Sequence, residues 1–375
     1  MIFALKHLVQ RMTGGGPLTV RPFDELWTPT GPGNAVHRPE SFAGELAREP
    51  ADHCQYTPGH SLLGQTPRPE IVAGRPRYQS AGIAVAEIRR LFTLSDAAVA
   101  GDDAVVYCPR RRLAVAETVR QWDRPAHRHP LLAAPRFPRA QPLPGLTLSL
   151  GTLGGGGFYH FLLEALPRLQ LARPWLARVD HVLANGSPGS FQERWLVHAG
   201  VTAAKIRWLQ GHSHYRCEQL LFANAPCPDS QPTPWIVSRV RAAVAAGTAP
   251  RATASHLWIT RRDATSRHLA WEDELLRALG DFEHVALAEL TPAEQIARLA
   301  GASVVAGLHG AGFSNLVFCT PGTRVIELMP DLRHSPLYSR LAAAAGCRHA
   351  WAAVDVTQAP PALPDLVAAI RAFLA

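Results

Sequence analysis

The chain has 375 residues, 47% of them hydrophobic, and 38 basic against 30 acidic side chains give a formal charge of +8. That length exceeds what one hydrophobic core usually serves, so two domains are expected, and a mean hydropathy of −0.03 fits a soluble globular protein. The basic residues are spread thinly rather than clustered, which argues against a nucleic-acid partner, and no apolar run approaches the roughly 20 residues of a transmembrane helix.

At the start, MIFALKHLVQRM carries too short an apolar run for a signal peptide. A cytoplasmic protein is expected, with any contact to the inner membrane peripheral. Cys54, Cys108, Cys217, Cys227, Cys319 and Cys347 form no Cys-x-x-Cys pair, which argues against a disulfide scaffold or a zinc ribbon. Residues 13 to 80 are crowded with Pro, Gly and His, and residues 1–80 read as an irregular N-terminal extension. From 83 to 150, runs such as AVVYC, RLAVAE and LTLSL predict a strand-rich section.

A glycine tract then opens the helical pattern FYHFLLEALPRLQLA. A strand at HVLAN, a helix at SFQERWLVHAG, strands at KIRWL and QLLFA and a helix at WIVSRVRAAVAAG complete a first α/β domain over 81–250. The polar break at 247–255 suits a linker. In 251–375, strands at 256–260, 283–287, 303–306, 324–328 and 349–354 alternate with helices at 271–279, 292–300, 311–318, 336–345 and 364–374. This alternation predicts the α/β class, with two doubly wound, Rossmann-like sheets.

Three constellations could carry chemistry. In SVVAGLHGAGFSNLVF, small residues Gly307, Gly310, Ala311 and Gly312 sit where a strand turns into a helix, and His309 and Asn315 add side-chain donors. Such a turn lets backbone approach a phosphate, although a tight turn alone would also require glycine. The spacing is not the Gly-x-Gly-x-x-Gly of nicotinamide or flavin sites. Just after the strand at 256–260, Arg261, Arg262 and Arg267 could clamp a diphosphate, or form a solvated loop. Glu327 ends the strand VIEL, where it could meet ribose hydroxyls or pair with an arginine.

The third set is His160, Glu164 and Arg168, spaced by four on one helix face, with Phe161, Leu162, Ala165, Leu166 and Leu169 toward the core. The imidazole could act as a general base oriented by the carboxylate; an ordinary exposed pair is the alternative. Pro167 should kink this helix, since it cannot donate to Leu163. His212, His214, Cys217 and Cys227 fit no zinc template, and neither a Gly-x-Ser-x-Gly elbow nor a Walker loop is present.

Together FYHFLLEALPRL, LWITRRDATSRHLAWEDEL and LTPAEQIARLAGASVVAGLHGAGFSNLVFCTPGTRVIELMP resemble glycosyltransferase family 61, over about half the chain. Those are inverting transferases found in plants, animals and bacterial capsule or exopolysaccharide systems. The resemblance implies a GT-B fold: two Rossmann-like domains facing across a cleft, with 81–250 on the acceptor side and 251–375 holding the nucleotide sugar. It implies Arg261, Arg267 and the His309 to Gly312 turn on the diphosphate, Glu327 near the ribose, and His160 with Glu164 as the catalytic pair. No metal and no cofactor are implied beyond the nucleotide-sugar donor, and the acceptor would be a hydroxyl of a glycan or glycoconjugate. In two places the chain departs from the family pattern: Trp271 stands where an Asn is more common, and no tryptophan follows His160. A non-catalytic sugar-nucleotide or glycan-binding protein of a polysaccharide assembly complex is the reading from another class, and a GT-B epimerase or phosphorylase is a third.

Overall fold

The computed structural model describes residues 18–22, 43–50, 52–56, 59–66, 71–72, 75–76, 82–85, 89–120, 122, 128–133, 137–227, 231–245, 255–262, 267–330, 335–359 and 363–375. Two compact units divide the chain, residues 1–51 with 87–226, and residues 52–86 with 227–375. The chain thus changes unit near 51, 86 and 226, where sequence had suggested boundaries at 80 and 250. Except for Ser255, the linker expected at 247–255 lies outside the described residues.

In the first unit, β1 (Arg89–Ala100), β2 (Val105–Cys108), β3 (Leu113–Val115), β4 (Gln141–Ser149), β5 (His181–Asn185), β6 (Ile206–Leu209) and β7 (His214–Ala223) make one sheet in the order β3-β2-β1-β7-β4-β5-β6. The last four are mutually parallel, while β1, β2 and β3 run antiparallel to their neighbours in that list. The sheet is therefore mixed, and the expectation of a doubly wound sheet holds only for its parallel part. The turns joining β1 to β2 and β2 to β3 are four residues each, too short for any but antiparallel neighbours.

Part of the expected irregular extension is strand. Thr19–Arg21 runs beside β3, and Ala43–Glu49 lies antiparallel on the first half of β1. These segments become strands by pairing with long-range partners, which leaves little local periodicity to read. The sheet buries Phe92, Val106, Leu143, Leu183, Leu220 and Phe222 in one cluster.

The long helix after the glycine tract is built in three pieces: α1 (Phe158–His160), a π-helical turn Phe161–Ala165, and α2 (Leu166–Leu171). In the π turn, the Leu166 amide donates to Phe161 O, five residues back. Pro167 consequently falls in the first turn of α2, where a missing N–H costs little. The kink expected at Pro167 is replaced by this widened turn. After it, α3 (Phe191–His198) follows β5.

The second unit carries α4 (Pro234–Ala243) and then alternates strand and helix: β8 (Ser255–Ile259), α5 (Glu272–Leu279), β9 (Glu283–Val285), α6 (Pro292–Gly301), β10 (Ala302–Leu308), β11 (Arg324–Met329), α7 (Leu337–Ala345), β12 (Arg348–Ala353) and α8 (Leu363–Leu374). All five strands are parallel, in the order β9-β8-β10-β11-β12, and His60–Ser61 adds a short parallel strand beside β12. Numbered within the unit this is the 2-1-3-4-5 order of a doubly wound sheet. Leu275 and Leu276 of α5 and Leu366 and Ile370 of α8 cluster with Trp258, Val304, Ile326 and Ala350 on one face. The alternate strand residues point to the opposite face, where α6 and α7 pack on the segment Ala311–Phe318.

Sequence chemistry sets the ends of these elements. Thr291 and Glu294 form a capping box that starts α6: Thr291 Oγ accepts from the Glu294 amide at 3.3 Å, and Glu294 Oε2 accepts from the Thr291 amide at 2.8 Å. Ala311–Phe318 is a 3-10 helix, not the α-helix expected there. The Phe313 amide already donates to Gly310 O, three residues back, which tightens this turn at its start. Among the described residues no helix is long and apolar enough to cross a membrane.

Candidate active site

Parallel sheets leave a crevice at the carboxyl ends of their strands where the strand order reverses. In the first unit β4, β5 and β6 run outward in sequence and β7 returns on the other side of β4, so the reversal lies between β4 and β7. Arg168 bridges that point, its guanidinium donating to Gly151 O just past β4 at 2.7 Å and to Asn224 O just past β7 at 3.4 Å.

Here the alternative of an ordinary exposed pair does not hold. Glu164 is 2% exposed and Arg168 5%, because the π turn and α2 run over the strand ends rather than along the surface. His160 Nδ1–H donates to Glu164 Oε1 at 3.0 Å, and the other oxygen accepts from Thr152 Oγ at 2.5 Å and Arg120 at 3.1 Å. The Thr152 amide is held by Asn185 Oδ1 at 3.0 Å, and Asn185 donates to Asp102 O. Burial alone would raise the Glu164 carboxyl, but the His160 hydrogen bond and the charges of Arg120 and Arg168 outweigh it and hold the group below the usual carboxylate range. Burial in the same place brings Arg168 down to about 10, so both partners remain charged near neutral pH.

The His160 side chain keeps 20% exposure. With Nδ1 committed to a buried carboxylate, Nε2 is the ring nitrogen left to accept a proton, the disposition of an oriented general base. A polar cavity of about 10 Å³ lined by Glu117, Arg120, Thr152 and Arg168 has room for about one water and none for a sugar. His214, weighed as a metal ligand, instead bonds Tyr107 Oη at 2.7 Å and Pro138 O at 2.6 Å.

In the second unit the reversal lies between β8 and β10. Arg261 follows β8 and His309 and Gly310 follow β10, so the expected phosphate residues meet at that point. The Arg261 guanidinium lies on the Cα of Gly310, where a Cβ would occupy its place, and Arg261 Nε donates to Arg267 O at 3.2 Å. Arg267 is itself exposed and holds a left-handed φ of +59°, a costly conformation for a residue with a Cβ. Residues 263–266 between them lie outside the described residues. Gly310→Ala should displace the Arg261 guanidinium and weaken nucleoside diphosphate affinity about tenfold, on the scale of one lost charge-assisted bond. Calorimetric titration measures this, and unchanged affinity would separate Arg261 from the ligand.

The other residues of the turn are placed differently from expectation. Asn315 is 1% exposed, and its amide donates back to Gly312 O at 3.1 Å, so it braces the turn from beneath. Ala311 is exposed and Gly312 half-buried. The His309 amide is used by Leu328 O at 2.8 Å. Arg262 pairs with Glu272 at 3.3 Å and with Asp273, which draws it toward α5 and away from a diphosphate. Trp271 is buried and donates to Asp355 O at 2.7 Å.

Glu327 is 0% exposed and pairs with no arginine among the described residues. His309 Nδ1–H donates to one oxygen at 2.5 Å and His349 Nε2–H to the other at 2.8 Å. Burial would raise this carboxyl, yet the two histidines bring it down to about 2. The Tyr338 ring packs tilted against His309 with centroids 5.1 Å apart, its phenol pushed up by burial and by the Glu327 charge. A buried carboxylate held this way cannot touch a ribose, and its role at this point is to orient His309. Residue spacing did not single out Arg120, Thr152, Asn185, Tyr338 or His349. His349 pairs with Val325 and so faces the same side of the sheet as Glu327, a relation that needs the register of the two strands; Arg120 had no signal.

Residues 158–326 match the model of the Glycosyltransferase 61 family. Over this segment, a little under half of its length, the chain is similar to family 61 glycosyltransferases. The matched segment opens at α1 and ends inside β11, so it takes in the strand-order reversal of the second unit and every candidate site residue singled out by the sequence except Glu327, which follows it directly, while β4 precedes it. No curated protein matches the chain. The match points to a sugar donor and a glycan acceptor as the kind of substrates such a chain would use.

Proposed function

We propose that the chain is an inverting, metal-independent glycosyltransferase that moves a sugar from a nucleoside diphosphate donor to a hydroxyl of a glycan or glycoconjugate, in the synthesis of a bacterial surface polysaccharide. His160 takes the proton of the acceptor hydroxyl at Nε2, and the oxygen so activated attacks the anomeric carbon from the face opposite the diphosphate. Glu164 orients the imidazole and stabilises the imidazolium that forms. Arg261, with Arg267 and the His309 to Gly312 turn, holds the diphosphate as its negative charge grows. The observation that carries the reading is the bond from His160 Nδ1 to a buried, ionised Glu164, which directs the free nitrogen outward.

Arg261→Ala and Arg267→Ala should each reduce donor affinity and turnover together, by roughly 10- to 100-fold. Initial rates with a panel of nucleotide sugars in the presence of a chelator test this, and nuclear magnetic resonance of the product reads the anomeric configuration. Retention of configuration would remove the single-displacement chemistry assigned to His160.

A further inference from the structure

Trp122 is 45% exposed, one of only two large hydrophobic side chains that stand out among the described residues. A single exposed apolar residue carries no meaning by itself. The surroundings of this one do. Its ring packs against His160 with centroids 5.0 Å apart at an interplanar angle of 57°. Gly154 lies under both rings: a Cβ there would come within 2.8 Å of Trp122 Cζ2 and of His160 Cδ2. Its φ of +74° is also one that residues with a Cβ rarely adopt. The glycine tract therefore makes room for an indole beside this imidazole.

His160 Nδ1 is taken by Glu164, and the cavity lined by that carboxylate's partners Arg120 and Thr152 admits no more than about one water. A sugar hydroxyl must reach Nε2 from the exposed side of the ring, where Trp122 stands. We infer that Trp122 is the platform on which a pyranose ring of the acceptor stacks, so that one of its hydroxyls is presented to His160.

The chemistry of the two surfaces supports this. A pyranose whose hydroxyls are equatorial shows a face of C–H bonds, apolar and weakly positive. The indole face is apolar and carries the negative side of its quadrupole. Stacking removes water from both while leaving the hydroxyls at the ring edge free to bond and react. The ligand class is thus a neutral sugar ring with a C–H face, as in the gluco and xylo configurations, in preference to one with an axial hydroxyl on that face. This inference rests on the transferase reading of His160.

Saturation-transfer nuclear magnetic resonance on the full chain tests it, with methyl β-glucoside, β-xyloside, β-galactoside and α-mannoside as probes and no nucleotide present. The expected result is transfer into the ring C–H protons of the glucoside and xyloside, reduced at least about fivefold in Trp122→Ala and largely kept in Trp122→Phe, which preserves an aromatic face. Melting temperatures of both variants confirm folding, since the replaced ring is at the surface. Equal transfer in Trp122→Ala, or no transfer from the wild-type chain to any of the probes, would overturn the platform. Acceptor kinetics distinguish this failure from that of the transferase reading. A platform that binds glycosides while the chain transfers no sugar sinks the transferase. Transfer that continues in Trp122→Ala at unchanged acceptor KM sinks the platform alone; the platform predicts a rise of about tenfold.

Discussion

Replacing His160 with alanine is expected to lower turnover by roughly 10²- to 10⁴-fold, the usual worth of a positioned general base, while nucleoside diphosphate affinity stays within about twofold. The split follows from where the residue sits. His160 belongs to the unit whose strand reversal is bridged by Arg168, whereas the arginine and glycine turn assigned to the diphosphate belongs to the other unit. Thr152→Val should give a smaller loss of the same kind, because it removes one donor from Glu164 Oε2 but leaves Arg120 in place. Steady-state rates paired with calorimetric affinities make the comparison. If His160→Ala weakens nucleotide binding as much as it slows turnover, the residue is a donor ligand and the assignment as base fails.

Replacing Glu327 with glutamine is expected to destabilise the fold by about 3 to 5 kcal/mol, the range for removing one partner of a buried charged network. For a chain of this length that lowers the melting temperature by on the order of 10 °C. Glu327 receives bonds from His309 and His349 with no exposure to water, so a neutral amide cannot balance both imidazoles. The effect also has a pH signature. The folded-state value of about 2 lies below the ordinary 4.5, so the carboxylate contributes stability above about pH 4.5 and loses it as pH falls toward 2. A shift of this size corresponds to about 3 kcal/mol. Melting curves of the wild type and Glu327→Gln should therefore lie well apart at neutral pH and converge below pH 4.5. Curves that coincide at neutral pH would show that the two histidines do not depend on this carboxylate.

The two halves of the chain differ in how far their fold could be read in advance. In the second unit short strand runs bounded by turns alternate with helices that carry an apolar stripe, so element order and the parallel sheet followed from periodicity. The helix expected at 292–300 matches α6, whose start the capping box of Thr291 and Glu294 fixes. In the first unit the same approach reached the strands but not their directions, because β1 pairs antiparallel with β7 across more than a hundred residues of chain. Such pairing leaves no local mark, and neither does the strand Ala43–Glu49 that covers β1.

The candidate site divides in the same way. His160 and Glu164 stand one turn apart and were legible as a pair; that the pair is buried depends on the π turn, which spacing alone does not announce. Glu327 was visible as a carboxylate too costly to leave alone in an apolar strand. Its partners were harder to see: His349 comes from the neighbouring strand and shows only once that strand's register with β11 is known, and His309 reaches back from the turn after β10. Arg262 misled for a simpler reason: its acidic partners on α5 lie ten and eleven residues away, beyond the range of helical spacing.

The most direct test of the account is calorimetric titration of the full chain with UDP, GDP, CMP and dTDP, each with and without a chelator, repeated on Arg261→Ala. Saturable binding of one diphosphate, insensitive to chelator and weakened by the arginine change, is the predicted result. Binding of none of the four, or binding that disappears with the chelator, would contradict a metal-independent transferase whose diphosphate site is built on Arg261 and the turn at Gly310.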